Sequence, residues 1–436
     1  MNDKNIKQED YPFFTVIIPQ KNRAEYLVHT LKTCMIQDYP NFEVIVSDDC
    51  SEDNSVEVVE SLAKIDNRIK LFAHKQHLGM RDNFEFALNQ VKPGYVMALG
   101  GDDGLVAGCI WKMYNILNET KRELLTWPSA VFKYANDEEK ESLVYFRRRR
   151  SENYNIIKSE VFLDRIATTL YYMVDDCPMF YIKGVASTNL VNRVKSRNKD
   201  NSFYTCPTPD GFSGVVLAGE VEDYVYTYEP LSIGGNTKKS QGQNYMRSDE
   251  KSRKESEMFF NDNIRRTMHK ELASQPYSPL ISLMTADYLL TAKDLPGWPG
   301  KFKDISFDNL LRKAFAEMAK SPFQNELLIR ELKILREIAK QHNLLDLFDE
   351  LYKNTERKVV RTPDIRGFVV TNSIRIDGSS IGVNNVFDAS TVIPVAYLFY
   401  KKYVRKKMPF EILKNGIKVI LRQRKYKKEK LPIINN

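Results

Sequence analysis

The sequence predicts an α/β fold: a parallel sheet with helices on its faces, followed by a mainly helical C-terminal part. Three observations carry that prediction. Over the first hundred residues, short apolar runs alternate with amphipathic stretches of helical length, the pattern of strand–helix–strand units. Two adjacent carboxylate pairs, Asp48–Asp49 and Asp102–Asp103, each close an apolar run, which places both at the carboxyl edge of one sheet, where such sheets bind ligands. From 255 to 355 the apolar residues recur at helical spacing instead.

The elements follow in order. "FFTVIIP" (13–19) is a buried strand ended by Pro19, and "AEYLVHTLKTCMIQ" (24–37) sets Leu27, Val28, Leu31, Cys34 and Met35 on one helical face. "FEVIVSDD" (42–49) is a second strand, and the next helix has Ser51 or Asp53 available as N-cap. "IKLFAH" (69–74) is a third strand, "RDNFEFALNQ" (81–90) a helix and "GYVMALGG" (94–101) a fourth strand. From 124 to 245 strand-like pieces alternate with loops, among them "PTPDGFSG" (207–214) and "GGNTKKSQGQ" (234–243). In "SPFQNELLIRELKILREIAKQ" Ser321 stands as N-cap, with Pro322 in the first turn and Gln324 closing a capping box. "SIRIDGSSIGVNNVFDAS" (373–390) reads as a hairpin turning at Asp377-Gly378. These elements divide the chain into an α/β domain over 1–250, a helical domain over 251–360 and a C-terminal segment over 361–436.

Composition narrows the function. The 436 residues have the apolar and charged balance of a globular protein. Five cysteines, none in a C-x-x-C pair, and five histidines without ligand spacing argue against a disulfide framework or a zinc site. Any metal is therefore expected on oxygen ligands. The N-terminus has no apolar signal core and "TVIPVAYLFY" is too short to span a bilayer, so the expected location is cytoplasmic. The formal charge of +8 is uneven: residues 401–430 carry thirteen Lys or Arg against two Glu, which leaves the rest of the chain at −3. That segment suits the anionic inner face of a membrane, peripherally attached. It carries no nucleic-acid-binding motif, so nucleic acid is not an expected partner.

Two stretches, "FFTVIIPQKNRAEYLVHTLKTCMIQDYPNFEVIVSDDCSEDNSVEVVE" and "VKPGYVMALGGDDGLV", resemble the family 2 glycosyltransferases: an opening strand, a P-x-x-N-R loop, a D-D-x-S-x-D segment and an acidic motif. The resemblance implies the GT-A nucleotide-sugar-binding fold and an inverting transfer from a nucleotide-diphosphate donor, UDP-linked by preference, to a hydroxyl of a glycan or lipid-linked oligosaccharide. It implies donor contacts from Pro19, Lys21, Asn22, Arg23, Asp48, Asp49, Arg81 and Asp102, and a divalent cation (Mn2+ or Mg2+) at Asp102 and Asp103. Two positions depart from the family pattern: Gly100 replaces the first acid of the motif, and Lys21 stands where many members have tyrosine. For the base that takes the acceptor's proton the first choice is Asp210, in a P-D-G loop, with Asp223 and Glu222 behind it. Lys238, Lys239 and Ser240 form a candidate lid over the diphosphate, and "FRRRRSEN" (146–153) a candidate contact for an anionic acceptor. Two other classes fit less well. A nucleotidyltransferase would carry a Gly-rich phosphate loop after its first strand; a non-catalytic nucleotide-sugar-binding scaffold would bind donor without turnover.

Overall fold

The computed structural model of the protein describes residues 11–135, 141–147, 153–239, 250–263, 266–360, 369–370, 373–399 and 426–432. The chain begins β1 (Phe14–Gln20), α1 (Ala24–Met35), β2 (Phe42–Asp48), α2 (Ser55–Ala63), β3 (Ile69–Ala73), α3 (Met80–Asn89), β4 (Tyr95–Ala98), β5 (Gly104–Leu105) and α4 (Cys109–Thr120). It continues β6 (Leu124–Thr126), β7 (Ala130–Lys133), β8 (Leu143–Arg147), β9 (Tyr154–Lys158), α5 (Ser159–Thr169), α6 (Phe180–Lys183), β10 (Gly184–Ser187), α7 (Thr188–Lys195), α8 (Pro209–Gly219), β11 (Asp223–Thr227) and β12 (Ser232–Asn236). Five helices follow: α9 (Glu250–Asp262), α10 (Ile281–Lys293), α11 (Phe307–Met318), α12 (Asn325–Gln341) and α13 (Leu345–Asn354). The remaining elements are β13 (Glu356–Val360), β14 (Val369–Val370), β15 (Ser373–Asp377), α14 (Val386–Phe399) and β16 (Tyr426–Lys430).

The main sheet runs β3-β2-β1-β4-β10-β6-β11-β9. Strands β1 to β4 are mutually parallel, as the apolar runs predict. The chain moves outward from β1 to β3 and then crosses back to place β4 on the other side of β1, so the crevice where strand order reverses opens at the carboxyl ends of β1 and β4. Strand β10 pairs antiparallel with both β4 and β6, which returns β6 and β11 to the direction of β4. Alternate residues serve opposite faces. Ile17 and Ile45 join a core shared with α3, α8, α10 and α12, whereas Val16, Ile18, Val44 and Val46 face α1, α4 and a second sheet, β14-β15-β8-β7-β12-β5. Full burial of each such side chain is worth about 1.5–3 kcal/mol, so neither layer is dispensable.

Several expectations are corrected. Residues 373–390 do not form a hairpin: β15 pairs with β14 and β8, and the chain then turns into α14. Among the described residues of 361–436, β15 joins the second sheet and β16 pairs with β13. Helix α12 starts at Asn325 with Gln324 in the cap position; Ser321 instead donates to the Glu317 carbonyl at the end of α11. Asn54 stands at the cap of α2, while Asp53 accepts from Ser55 N at 3.0 Å and from Ala24 N at 3.1 Å, joining the starts of α2 and α1. Residues 207–214 are not a free loop, since Pro209 begins α8. Most of the basic segment 401–430, Ser240, and the arginines 148–150 lie outside the described residues.

Candidate active site

The two carboxylate pairs stand at the carboxyl edge of the main sheet, on either side of β1. Asp48 ends β2 and is buried; its carboxylate accepts from the Gln20 amide on β1 and from Ser51 N at 2.9 Å, which bends the chain away from the strand. Asp49, also buried, accepts from Leu78 N at 2.6 Å and Gly79 N at 3.1 Å and lies 2.8 Å from the His77 ring. The same imidazole reaches Asp262 at the end of α9 at 3.0 Å and Lys21 Nζ at 3.2 Å. Lys21 therefore leans on His77, and the Asp49 carboxylate braces the loop that enters α3.

After Pro19 the loop bends through Asn22, which adopts a positive φ of 55°. Asn22 N donates to Ser51 at 2.8 Å, and the Asn22 side-chain oxygen accepts from Glu52 N at 2.8 Å. The residues after β12 fold over this loop. The Arg23 guanidinium donates to the Lys239 carbonyl, and Lys239 Nζ donates to the Asn22 carbonyl at 2.5 Å. Lys239 Nζ lies 3.7 Å from Asp53. Arg23 and Lys239 thus tie the two loops together across the crevice.

The acidic pair follows β4 directly. Gly101 packs on Arg23 and Gln20: a Cβ there would lie 2.9 Å from Arg23 Cβ. Asp102 accepts from the Thr237 hydroxyl at 2.8 Å. Asp103 accepts from Gly100 N at 2.7 Å and Gly235 N at 2.9 Å, and a Cβ at Gly100 would lie 2.8 Å from Asp103 Oδ2 and 2.9 Å from the Tyr181 hydroxyl. Burial, reinforced by the neighbouring Asp102 charge, pushes the Asp103 carboxyl up to about 7. Gly235 is required by contact, since a Cβ there would fall 1.8 Å from the Asp102 carbonyl oxygen.

Asp210 occupies the second position of α8, after Pro209, and is half-buried. Removal from water pushes its carboxyl up to about 7, the range a general base needs at neutral pH. Four tyrosines, 172, 181, 204 and 288, feel its charge, and burial holds their hydroxyls well above the ordinary phenol range. Gly211 lets two of them close in: a Cβ there would meet the Tyr288 ring at 2.4 Å and the Tyr172 ring at 2.6 Å. Tyr181 also feels Asp102 and Asp103, so one phenol is within electrostatic reach of both the acidic pair and Asp210.

The other candidates fall elsewhere. Asp223 begins β11, which runs in the same direction as β4, so it sits at the opposite edge of the sheet. It pairs with Arg122 at 2.6 Å and Lys158 at 3.0 Å; burial works to raise its carboxyl, but those bonds bring it below the ordinary range. Glu222 is exposed beside Lys158. Arg81 donates to the Tyr204 carbonyl and to Asp82, each at 2.5 Å, tying α3 to the segment before α8. Sequence reasoning missed Tyr181, His77, Thr237 and Asp262. Only Thr237 left a trace, in the Gly-rich stretch that contains it.

A crevice at the strand-order reversal, with carboxylates at the ends of β2 and β4 and on α8, is the arrangement that the resemblance to GT-A glycosyltransferases implies. Residues 15–176 match the family described as glycosyl transferase family 2. Among curated relatives, the chain is 36% identical over 109 residues to the GalNAc(5)-diNAcBac-PP-undecaprenol beta-1,3-glucosyltransferase of Campylobacter jejuni, covering 25% of this chain and 35% of that protein. It is 32% identical over 92 residues to the putative teichuronic acid biosynthesis glycosyltransferase TuaG of Bacillus subtilis, covering 21% and 36%. The chain thus spans about a third of the length of these two relatives. Among solved structures, Staphylococcus aureus TarS 1–349 in complex with UDP-GlcNAc aligns with a TM-score of 0.43 at 15% identity, over 82% of this chain and 94% of that one.

Proposed function

We propose that the protein is an inverting glycosyltransferase that moves a sugar from a nucleotide-diphosphate donor, UDP-linked by preference, to a hydroxyl of a glycan or lipid-linked oligosaccharide. The observation that supports this is that Asp48, Asp49, Asp102 and Asp103 stand at one edge of the main sheet, with Asp210 near the second pair, in a chain whose residues 15–176 match the family 2 model. A carboxylate suits the imino N–H of uracil, which favours Asp48 and Asp49 at the base, with Pro19, Lys21 and Asn22 lining the same loop. Arg23 and Lys239, which join the loop after β1 to the residues after β12, are the proposed cations for the diphosphate, and Arg81 serves by fixing α3. The undecaprenol-linked name of the Campylobacter jejuni relative supports a lipid-linked acceptor. The basic residues of 401–430 suit an anionic membrane surface.

The donor set at Asp102 and Asp103 fits a hard cation. Two adjacent carboxylates with the Thr237 hydroxyl supply only oxygen, the preference of Mg2+ or Mn2+. An ion held there by two carboxylates takes its other ligands from phosphate and water. When bound, the ion supplies charge neutralisation at the leaving diphosphate. Asp210 takes the proton of the acceptor hydroxyl as that oxygen attacks the anomeric carbon; the bond from that carbon to the diphosphate breaks, and the nucleoside diphosphate leaves with the electron pair.

The test is a thermal-shift panel of nucleoside diphosphates and nucleotide sugars, with and without Mn2+, on wild type and on Asp102→Ala/Asp103→Ala. Stabilisation by uridine compounds that needs Mn2+ and vanishes in the double variant is expected. No shift with any nucleotide overturns the proposal. Binding without turnover, unaltered by Asp210→Asn, moves the protein to the non-catalytic scaffold class.

A further inference from the structure

The loop after β3 presents one histidine to two carboxylates. Asp49 follows β2 directly, and Leu78 N and Gly79 N donate to its two oxygens, one each. The chain thus wraps the carboxylate and carries His77 against it, with Nδ1 2.8 Å from Asp49 Oδ2. Nε2 of the same ring lies 3.0 Å from Oδ2 of Asp262, the last residue of α9. A third group faces the ring: Lys21 Nζ, in the loop after β1, is 3.2 Å from Nδ1. Arg266, just after α9, pairs with Asp82 on α3 at 3.1 Å, so the seam between α9 and this part of the chain is built from charges. A neutral imidazole has one N–H, an imidazolium has two, and an ammonium only donates. The ring therefore hydrogen-bonds both carboxylates only when it is charged. In a neutral ring with its proton on Nε2, Nδ1 accepts from Lys21 and turns a lone pair toward Asp49.

We propose that His77 is a positioning residue for Asp49: as an imidazolium it bridges Asp49 to Asp262 and fastens the nucleobase end of the crevice to α9. This rests on the glycosyltransferase reading above, because that reading sets Asp49 at the base. On losing its proton the ring keeps Asp262, releases Asp49 and takes Lys21 instead. Asp49 then keeps its two backbone donors, Leu78 N and Gly79 N. His77 touches neither donor nor acceptor in this role; it acts through Asp49. The effect is modest in size, since the ring and Asp262 are each a third exposed and water screens a pair so placed. Histidine ordinarily changes charge between pH 5 and 8, so the bridge is present at the acid end of that range and lost at the alkaline end.

The experiment measures UDP affinity by thermal-shift titration at saturating Mn2+, at pH 6 and pH 8, in wild type, His77→Gln, Asp262→Asn and the double variant. The ratio of variant to wild type at one pH cancels the titrations they share, those of the nucleotide and of Asp103. His77→Gln should weaken UDP about threefold at pH 6 and leave it unchanged at pH 8. Asp262→Asn should show the same loss at pH 6, with no further loss in the double variant. Equal ratios at both pH values, or additive losses, overturn the bridge and leave the enzyme reading standing. No UDP shift in wild type at either pH overturns both. A second measurement needs no nucleotide: the ring-nitrogen NMR shifts of His77 should show both nitrogens protonated at pH 6 and Nε2 alone at pH 8. A ring that is neutral at pH 6, or protonated on Nδ1 alone at pH 8, overturns the exchange of Asp49 for Lys21.

Discussion

Replacing Asp210 by Asn should make the protein more stable and inactive at once. The Asp210 carboxyl is pushed from an ordinary 3.8 to about 7 by burial, so the folded chain holds its proton more tightly than the unfolded chain does. A carboxyl raised in this way contributes nothing unfavourable below about pH 4, where both states are protonated. Its cost grows as pH rises from there and is complete above about pH 7. A rise of that size corresponds to about 4 kcal/mol, and solvent access to the half-buried carboxyl reduces this to about 2 kcal/mol. Asn keeps the size and removes the charge. Its melting temperature should therefore exceed wild type by about 4 °C at pH 8, with the gap closing toward pH 4. Turnover should fall by about 10²–10⁴ with the donor's apparent affinity unchanged. In wild type kcat should rise with pH through about 7 and level off. The assay is a pair of melting curves at pH 4 and 8 beside release of nucleoside diphosphate. A variant that turns over normally, or a stability gap that ignores pH, would refute the reasoning.

Two further outcomes follow from the geometry. Asp223→Asn breaks contacts with Arg122 and Lys158 at the far edge of the sheet. It should cost about 1 kcal/mol of stability and leave kcat alone; a large loss of kcat would return Asp223 to the candidate bases. Gly235→Ala drives a Cβ toward the Asp102 carbonyl, 1.8 Å away, at a strain of about 1–3 kcal/mol. It should abolish the Mn2+-dependent UDP shift while far-UV circular dichroism stays native, and a normal shift would show that β12 does not shape the acidic pair.

The parallel half of the fold was legible because its strands are buried on both faces. Runs such as Val16-Ile17-Ile18 and Val44-Ile45-Val46 have no polar interruption, and each is soon followed by Pro or Asp, so both the strand and its exit are written locally. The acids at the ends of β2 and β4 were legible for the same reason. What escaped was decided at long range. Asp210 reads as a turn because Pro and Gly flank it, yet Pro is equally at home in the first turn of a helix, and packing on Tyr172 and Tyr288 selects the helix. Asp377-Gly378 reads as a hairpin turn, but β15 finds its partner in β8, more than two hundred residues earlier. Ser321 looks like a cap, and the final turn of α11 takes its hydroxyl first. Tyr181 carries no local sign at all; only the bare side of Gly100 points to it.

The partners of the acidic pair arrive late. Gly235 and Thr237, which hold Asp103 and Asp102, lie 132 and 135 residues further along the chain. At a synthesis rate of about 5–20 residues per second, the two aspartates wait about 7–27 s on the ribosome before the strand that arranges them exists. The early strands β1 to β4 form from nearby contacts and can assemble meanwhile. A shortened chain ending before residue 232 would thus keep both acids on their sheet and still lack the amide and the hydroxyl that aim them. On the proposed reading, the path of the backbone withholds the finished acidic pair from fragments and nascent chains.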